Sequence, residues 1–199
     1  MLALAFKELR VVDSFTPSNW LYLNARDLDL GAASPVVFPF QGKTLVASGG
    51  KEGVLYLLDA NALGGGARQH SRPLYQSPQL GNDEILLGGR GIWGAVATYQ
   101  NPQGDRFLYV PLWGPPSKHA PQFANSYGDA PHGSIMAFRV SAENGKPLLT
   151  PAWMSRDLQV PGPPVVANGV AYAVQTGGTN RPKLAASGGR CDRETRRRG

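Results

Sequence analysis

The sequence predicts an all-β fold: a partial, open β-propeller of four-stranded antiparallel blades, with about two full blades and parts of two more. Three observations carry that expectation. The stretch "GVLYLLDANALG" at 53–64 is apolar at every position from Val54 to Leu58, whereas a strand with one wet face alternates apolar and polar residues. The chain holds 25 Gly and 17 Pro in 199 residues, and both residues interrupt helix interiors. Strand-like runs also recur in one order, with similar punctuation, along the chain. In a propeller each sheet packs between two neighbours, so its inner strands lose water on both faces. A parallel sheet buries strands equally well but needs crossover helices, and most connections here are too short for them.

The elements follow in order. "LALAF" and "RVVDSFT" read as the last two strands of a first unit, although Leu2, Phe6 and Leu9 also fit one helical face. A loop at 18–33, "SNWLYLNARDLDLGAA", is rich in turn formers and predicts a rim insertion. "SPVVFPF", "TLVASGG" and "VLYLLDA", separated by "QGK" and "KEG", form a meander, with "RPLYQSP" as its fourth strand. The pattern restarts with "GIWGAVATY", the turn "NPQGD" and "RFLYVPLWG". A second long loop at 114–133 precedes "GSIMAFRV", "NGK" and "LLTPAWM", and a third unit opens with "GPPVVANGVAYAVQTGG". Aligned on the apolar run before the third turn, Leu4, Leu58 and Phe138 correspond. Their spacings exceed the ~40–50 residues of a typical propeller blade, which is why 18–33 and 114–133 read as insertions. Pro39 and Pro111 fall inside strand-like runs, where proline belongs at edges or bulges.

The net charge of +6 is unevenly spread. Lys183–Gly199 holds six of the 20 Lys/Arg and two of the 14 Asp/Glu, leaving 14 against 12 in the rest. The body therefore lacks the basic stripe that tracks phosphates, so nucleic acid is an unfavoured partner. Residues 1–182 are expected to form the β-propeller sector, and 183–199 a basic tail that is disordered or foreign to the fold. The chain is expected to be a sector of a longer protein, because an open arc leaves apolar blade faces in water. No run reaches the roughly 18 apolar residues of a membrane span. "MLALAFKELR" lacks the basic start and long apolar core of a secretory signal. The single Cys191 forms no internal disulfide and leaves the redox compartment open.

Four stretches carry a family resemblance: "DLDLGAASPVV", "GKTLVASGGKEGVLYLLDANALGG", "GSIMAFRVSAENGKPLLTPAW" and "PGPPVVANGVAYAV". Together they resemble the quinoprotein-like propellers, whose repeats occur in pyrroloquinoline quinone (PQQ) dependent alcohol dehydrogenases. Leu58-Asp59-Ala60 matches the strand end of that repeat, and Asn144-Gly145-Lys146 with Trp153 its turn and following tryptophan. Pro164-Val165-Val166 and Gly169-Val170-Ala171-Tyr172 match the opening of the next repeat. The resemblance covers about residues 1–180. It implies a periplasmic or secreted protein that acts as a scaffold, binding a protein or small molecule at rim loops 18–33 and 114–133. The alternative it implies is part of a PQQ-dependent oxidoreductase, with PQQ and calcium held by residues outside this chain, since the family's vicinal cysteine pair is missing here. A basic-tailed nucleic-acid binder is a third reading.

Elementary chemistry gives these residues structural roles. Asp59 is placed to accept amide hydrogens in the turn after its strand, Asn144-Gly145 is a hairpin signal, and Trp153 offers a flat surface between sheets. The sequence singles out no catalytic or metal-ligating set. Asp27 and Asp29 in "DLDLG" resemble the start of a calcium loop, but the twelfth position from Asp27 is Phe38, so they read as carboxylates that order the loop. His70, His119 and His132 have no metal-ligand spacing. His119 and His132 share a loop with Lys118, Phe123, Tyr127 and Asp129, which reads as a solvated rim. Ser134 belongs to no nucleophile motif. "GGRG" at 88–91 lacks the Lys-Ser/Thr of a phosphate loop and reads as a turn into the Trp93 strand.

Overall fold

The computed structural model describes residues 1–65, 70–83 and 90–177, and the backbone of Gly189–Arg190. Gly88, Gly89, Cys191 and most of the basic tail expected at 183–199 lie outside the described residues.

The chain is mostly β. Strands β1 (Leu2–Leu4) and β2 (Val11–Ser14) pair antiparallel, so the strand reading of the start holds and the helical one does not. Strands β3 (Ala33–Ser34), β4 (Val36–Phe40), β5 (Lys43–Gly49), β6 (Leu55–Asp59) and β7 (Tyr75–Gln76) follow. The last four of these form the expected antiparallel meander, in the order β4-β5-β6-β7. The next strands are β8 (Gly91–Ile92), β9 (Gly94–Ala95), β10 (Ala97–Gln100), β11 (Arg106–Trp113), β12 (Asn125–Ser126), β13 (Gly133–Glu143) and β14 (Lys146–Met154). Of these, β10-β11-β13-β14-β12 form one sheet and β8 also pairs with β11. Strands β15 (Val165–Ala167), β16 (Val170–Tyr172) and β17 (Gly189–Arg190) make a last small sheet.

Three hairpins are closed by two-residue turns with both residues at positive φ: Gln41-Gly42, Asn144-Gly145 and Asn168-Gly169. That backbone matches the right-handed twist of the flanking strands. Each turn pins the register, and with it which face of each strand points inward.

Burial explains the apolar runs. Val54 through Leu58 are all buried, but their neighbours alternate. Leu55 and Leu57 pack in a cluster with Leu108, Val110, Met136 and Phe138 of the large sheet. Val54, Tyr56 and Leu58 face the other way, against Phe15 and Leu63, with Met1 and Ala3 packed alongside. The Phe15 and Tyr56 rings meet at 5.2 Å. The large sheet repeats the pattern: Leu108, Val110, Met136 and Phe138 face β6, whereas Tyr109, Ile135 and Ala137 pack with Leu158, Ala171 and Ala173 toward the last sheet. Trp153 fills that second interface, 5.8 Å from the Tyr109 ring. Four sheets are thus stacked face to face. The outermost ones leave apolar side chains in water, among them Leu2 (63% exposed) on β1 and Val165 (63%) on β15.

Both prolines sit where a missing amide hydrogen costs no ladder bond. Pro39 is on β4, an edge strand of its sheet. Pro111 opposes Ile135, whose own amide and carbonyl bond Ser155 on the far side. On its other flank β11 pairs with β10 as far as Tyr109 and with β8 from Leu112, so Pro111 falls in the gap between them.

Four expectations need correction. Loop 18–33 contains a helix, α1 (Trp20–Ala25), and a 3-10 turn at Leu30–Ala32; with one buried side chain, Leu23, α1 is too short to show a period. "GIWGAVATY" is broken into β8, β9 and β10, because Gly91 and Gly94 take φ of 91° and 85° and turn the chain. Loop 114–133 contributes β12, which runs parallel to β14 at the sheet edge. The second unit is therefore not a plain four-stranded antiparallel sheet, and β3 with β9 adds another parallel pair.

Removing a side chain from the two-sided strand should be costly. Leu57→Ala is expected to lower unfolding free energy by about 2–5 kcal/mol in urea melts, whereas Leu2→Ala, at a site 63% exposed, should stay within about 0.5 kcal/mol.

Candidate functional site

Two cavities lie at opposite ends of β5. The first, of about 580 Å³, is walled by Phe15–Pro17, α1 and the segment 28–32, with Lys51 and Trp93 at its base. Its lining is apolar at Phe15, Trp20, Leu23 and Leu30, and polar at Asn24, Asp29 and Lys51. Much of the predicted rim loop 18–33 therefore forms a cavity wall.

Lys51 is held by backbone before its side chain acts. Its amide donates to the Asp29 carbonyl at 3.1 Å, and its own carbonyl accepts from Asn82 Nδ2 at 2.6 Å. Ile92 N–H donates to the neighbouring Gly50 carbonyl at 2.9 Å. The chain at Gly91 runs so close to the Lys51 carbonyl that any Cβ would strike it, and its φ of 91° also calls for glycine. Three segments distant in sequence thereby fix one lysine.

The Lys51 ammonium donates to Asp27 Oδ2 at 2.9 Å and to Asp29 Oδ2 at 2.7 Å. Its side chain is 11% exposed, against 60% and 58% for the two aspartates. The hydrogen bonds that Lys51 donates to Asp29 and Asp27 raise its pKa above the usual lysine value, so it stays charged. The hydrogen bond and charge of Lys51 hold Asp27 below the ordinary carboxylate range. The ammonium also lies 5.4 Å from the centre of the Trp93 ring. Trp93 stacks on Trp113 with centroids 4.7 Å apart and planes 11° from parallel. Trp113 Nε1 then donates to the Pro161 carbonyl at 2.8 Å. A continuous chain of contacts thus runs from two carboxylates through an ammonium and two indoles to the segment before β15.

Asp27 and Asp29 do order their loop, as expected, but their partner Lys51 was not legible: it lies 24 and 22 residues away. Beside it, Glu52 accepts from Asn19 Nδ2 at 2.7 Å and from Tyr56 Oη at 3.4 Å. Burial pushes the Glu52 carboxyl up, more than these two donors pull it down.

The other sequence candidates are dispersed. Asp59 Oδ1 accepts the Asn61 amide at 2.9 Å, as its turn role predicts. His70 Nδ1 contacts Ser14 Oγ at 3.1 Å. His119, Lys118, Tyr127 and Asp129 line neither cavity described here. The Lys118 amide donates to Asp83 at 2.9 Å, and Phe123 packs edge-on against Phe138. Buried Ser134 lines neither cavity. His132 has a partner the sequence did not reveal: its amide and its Nδ1 meet the two oxygens of Asp157 at 2.9 and 2.8 Å. Burial pushes the Asp157 carboxyl up, but the His132 contacts outweigh it and hold the group below its usual range. Among the described residues no three His, Cys, Asp or Glu side chains come together as a metal site, and no helix is long and apolar enough to cross a membrane.

The Lys51 contacts have a defined pH window. Asp27, lowered in the fold, stabilises above its unfolded value of about 4 and stops doing so as pH falls through its lower folded value. Lys51, raised in the fold, contributes until pH climbs past its ordinary value of about 10. The destabilisation caused by Lys51→Met is therefore expected to be greatest between these limits and to shrink at about pH 2.5, read from urea melts at both pH values. Glu52 has the opposite sign for a carboxylate: raised in the fold, it favours folding only when protonated. Glu52→Gln should raise the melting temperature at pH 7 and change it little at about pH 3.

Set beside known proteins, the chain matches no protein-family model, no curated protein and no solved structure.

Proposed function

We propose that this chain is a sector of a quinoprotein-like β-propeller that works as a binding scaffold, with its ligand held in the cavity beneath α1. The observation that supports the reading most is the pairing of a rigid stack with a concave rim. Strands β6, β11 and β13 are buried on both faces, as a radial array of sheets requires, and the 580 Å³ cavity opens among the loops that cap this stack. A cavity of that size, mostly apolar with a few convergent polar groups, suits a small molecule. Trp20 offers aromatic surface, while Asn24 and the exposed carboxylate of Asp29 offer polar groups. The ligand class is therefore a small molecule with one apolar face and a hydrogen-bonding edge. A location in the periplasm or outside the cell belongs to the same proposal and rests on the family resemblance alone.

The quinone alternative draws its PQQ and calcium ligands from outside this chain, and the residues of this rim add none. Calcium that would accompany PQQ needs several oxygen ligands, and the carboxylates at this rim, Asp27 and Asp29, are both engaged by Lys51.

The test is a fragment screen by ligand-observed NMR, with hits titrated by tryptophan fluorescence; PQQ with calcium forms one arm, followed by absorbance. Ligands are expected that bind at sub-millimolar affinity and weaken about tenfold, or 1.4 kcal/mol, in Trp20→Ala, a half-exposed position whose truncation spares the core. A screen without hits, or hits indifferent to Trp20, would sink the binding reading, and saturable quinone binding would favour the oxidoreductase.

A further inference from the structure

We propose that the second cavity, at the opposite rim, is a binding site for a doubly charged oxyanion of the phosphate class. It has a volume of about 810 Å³ and lies between the Gln41-Gly42 turn, the turn at 101–105 and the end of β13. This inference is independent of the ligand cavity beneath α1, from which it is separated by the length of β5.

The lining residues carry more positive than negative charge. Three cations wall the groove: Lys43, Arg106 and Arg139. Arg139 is satisfied, since its Nη2 donates to Asp105 Oδ1 at 2.6 Å. Lys43 reaches Asp59 only at 4.0 Å, with half of its side chain exposed. Arg106 is the exception. Its Nη2 donates to the neutral amide oxygen of Gln100 at 2.8 Å, and its buried Nε has no hydrogen-bond partner. No carboxylate lies within ion-pair distance of it among the described residues. The guanidinium rests 5.8 Å from the centre of the Phe38 ring.

A partly buried guanidinium without a counter-ion is expensive, because burial removes water and nothing replaces its charge. Burial accordingly lowers the Arg106 pKa. An anion entering the groove supplies the missing charge. Beside Arg106, Lys43 is half exposed and holds Asp59 only at 4.0 Å, so its ammonium can serve the same anion, which favours a dianion over a single carboxylate. Arginine's planar fork also suits the paired oxygens of phosphate.

The experiment is isothermal titration of the full chain at pH 7 and constant ionic strength, with inorganic phosphate in one arm and glycerol phosphate in the other. Saturable binding with Kd below about 1 mM is expected in at least one arm, and the tighter arm shows whether the source is free phosphate or an ester. Arg106→Met and Lys43→Met should each weaken binding about tenfold or more, whereas Lys118→Met, which removes the same charge outside the groove lining and toward the other rim, should not. Arg106→Met removes a desolvated charge, and Lys43 is half exposed, so both variants should fold, as urea melts would verify. Absence of saturable binding in both arms, or binding unchanged in both variants, overturns the proposal.

Discussion

Two-sided burial of β6, β11 and β13 is the constraint on which the rest of this molecule depends. Adjacent residues on one strand serve different interfaces: Leu57 packs toward the large sheet and Leu58 toward the first pair of strands. A one-residue slip would exchange these sets and press Leu57 into the space shaped for Leu58. The glycine-containing turns at 41–42, 144–145 and 168–169 resist such a slip, because their backbone fits only one register of the flanking strands. Order in the core and order in the turns are thus one property.

That rigidity frees the rims for chemistry. The two ends of β5 illustrate it: Lys51 lies just past one end and Lys43 begins the other, yet their surroundings differ. Lys51 is enclosed by two carboxylates and an indole, a closed arrangement that braces the wall of a mostly apolar cavity. Around Lys43 the cations outnumber the carboxylates and a guanidinium nitrogen goes unmatched. Loops carry such differences readily, because changing them does not disturb the packed sheets that hold them.

Legibility in the sequence followed distance along the chain. The hairpin at Asn144-Gly145, the Asp59 turn and the burial of Val54–Leu58 are written within a few consecutive residues, and each was readable. Trp153 was readable as a space-filler, though not which ring it would meet. Helix α1 was hidden because six residues are too few to display a period. The breaks in "GIWGAVATY" depend on glycines that either extend or bend a strand, and only neighbouring chain decides which.

The amino-acid sequence by itself determined an all-β chain, the order of its main strands, the places of its tight turns and the two-faced burial of its central strands. These follow from local backbone preference and from apolar runs too long to leave in water. Tertiary structure alone decided that Lys51 meets Asp27 and Asp29, that His132 meets Asp157, and that Lys43, Arg106 and Arg139 share one groove. The reason is physical: an ion pair or a cavity wall depends on separation in space, and segments tens of residues apart come together only when the sheets between them have stacked.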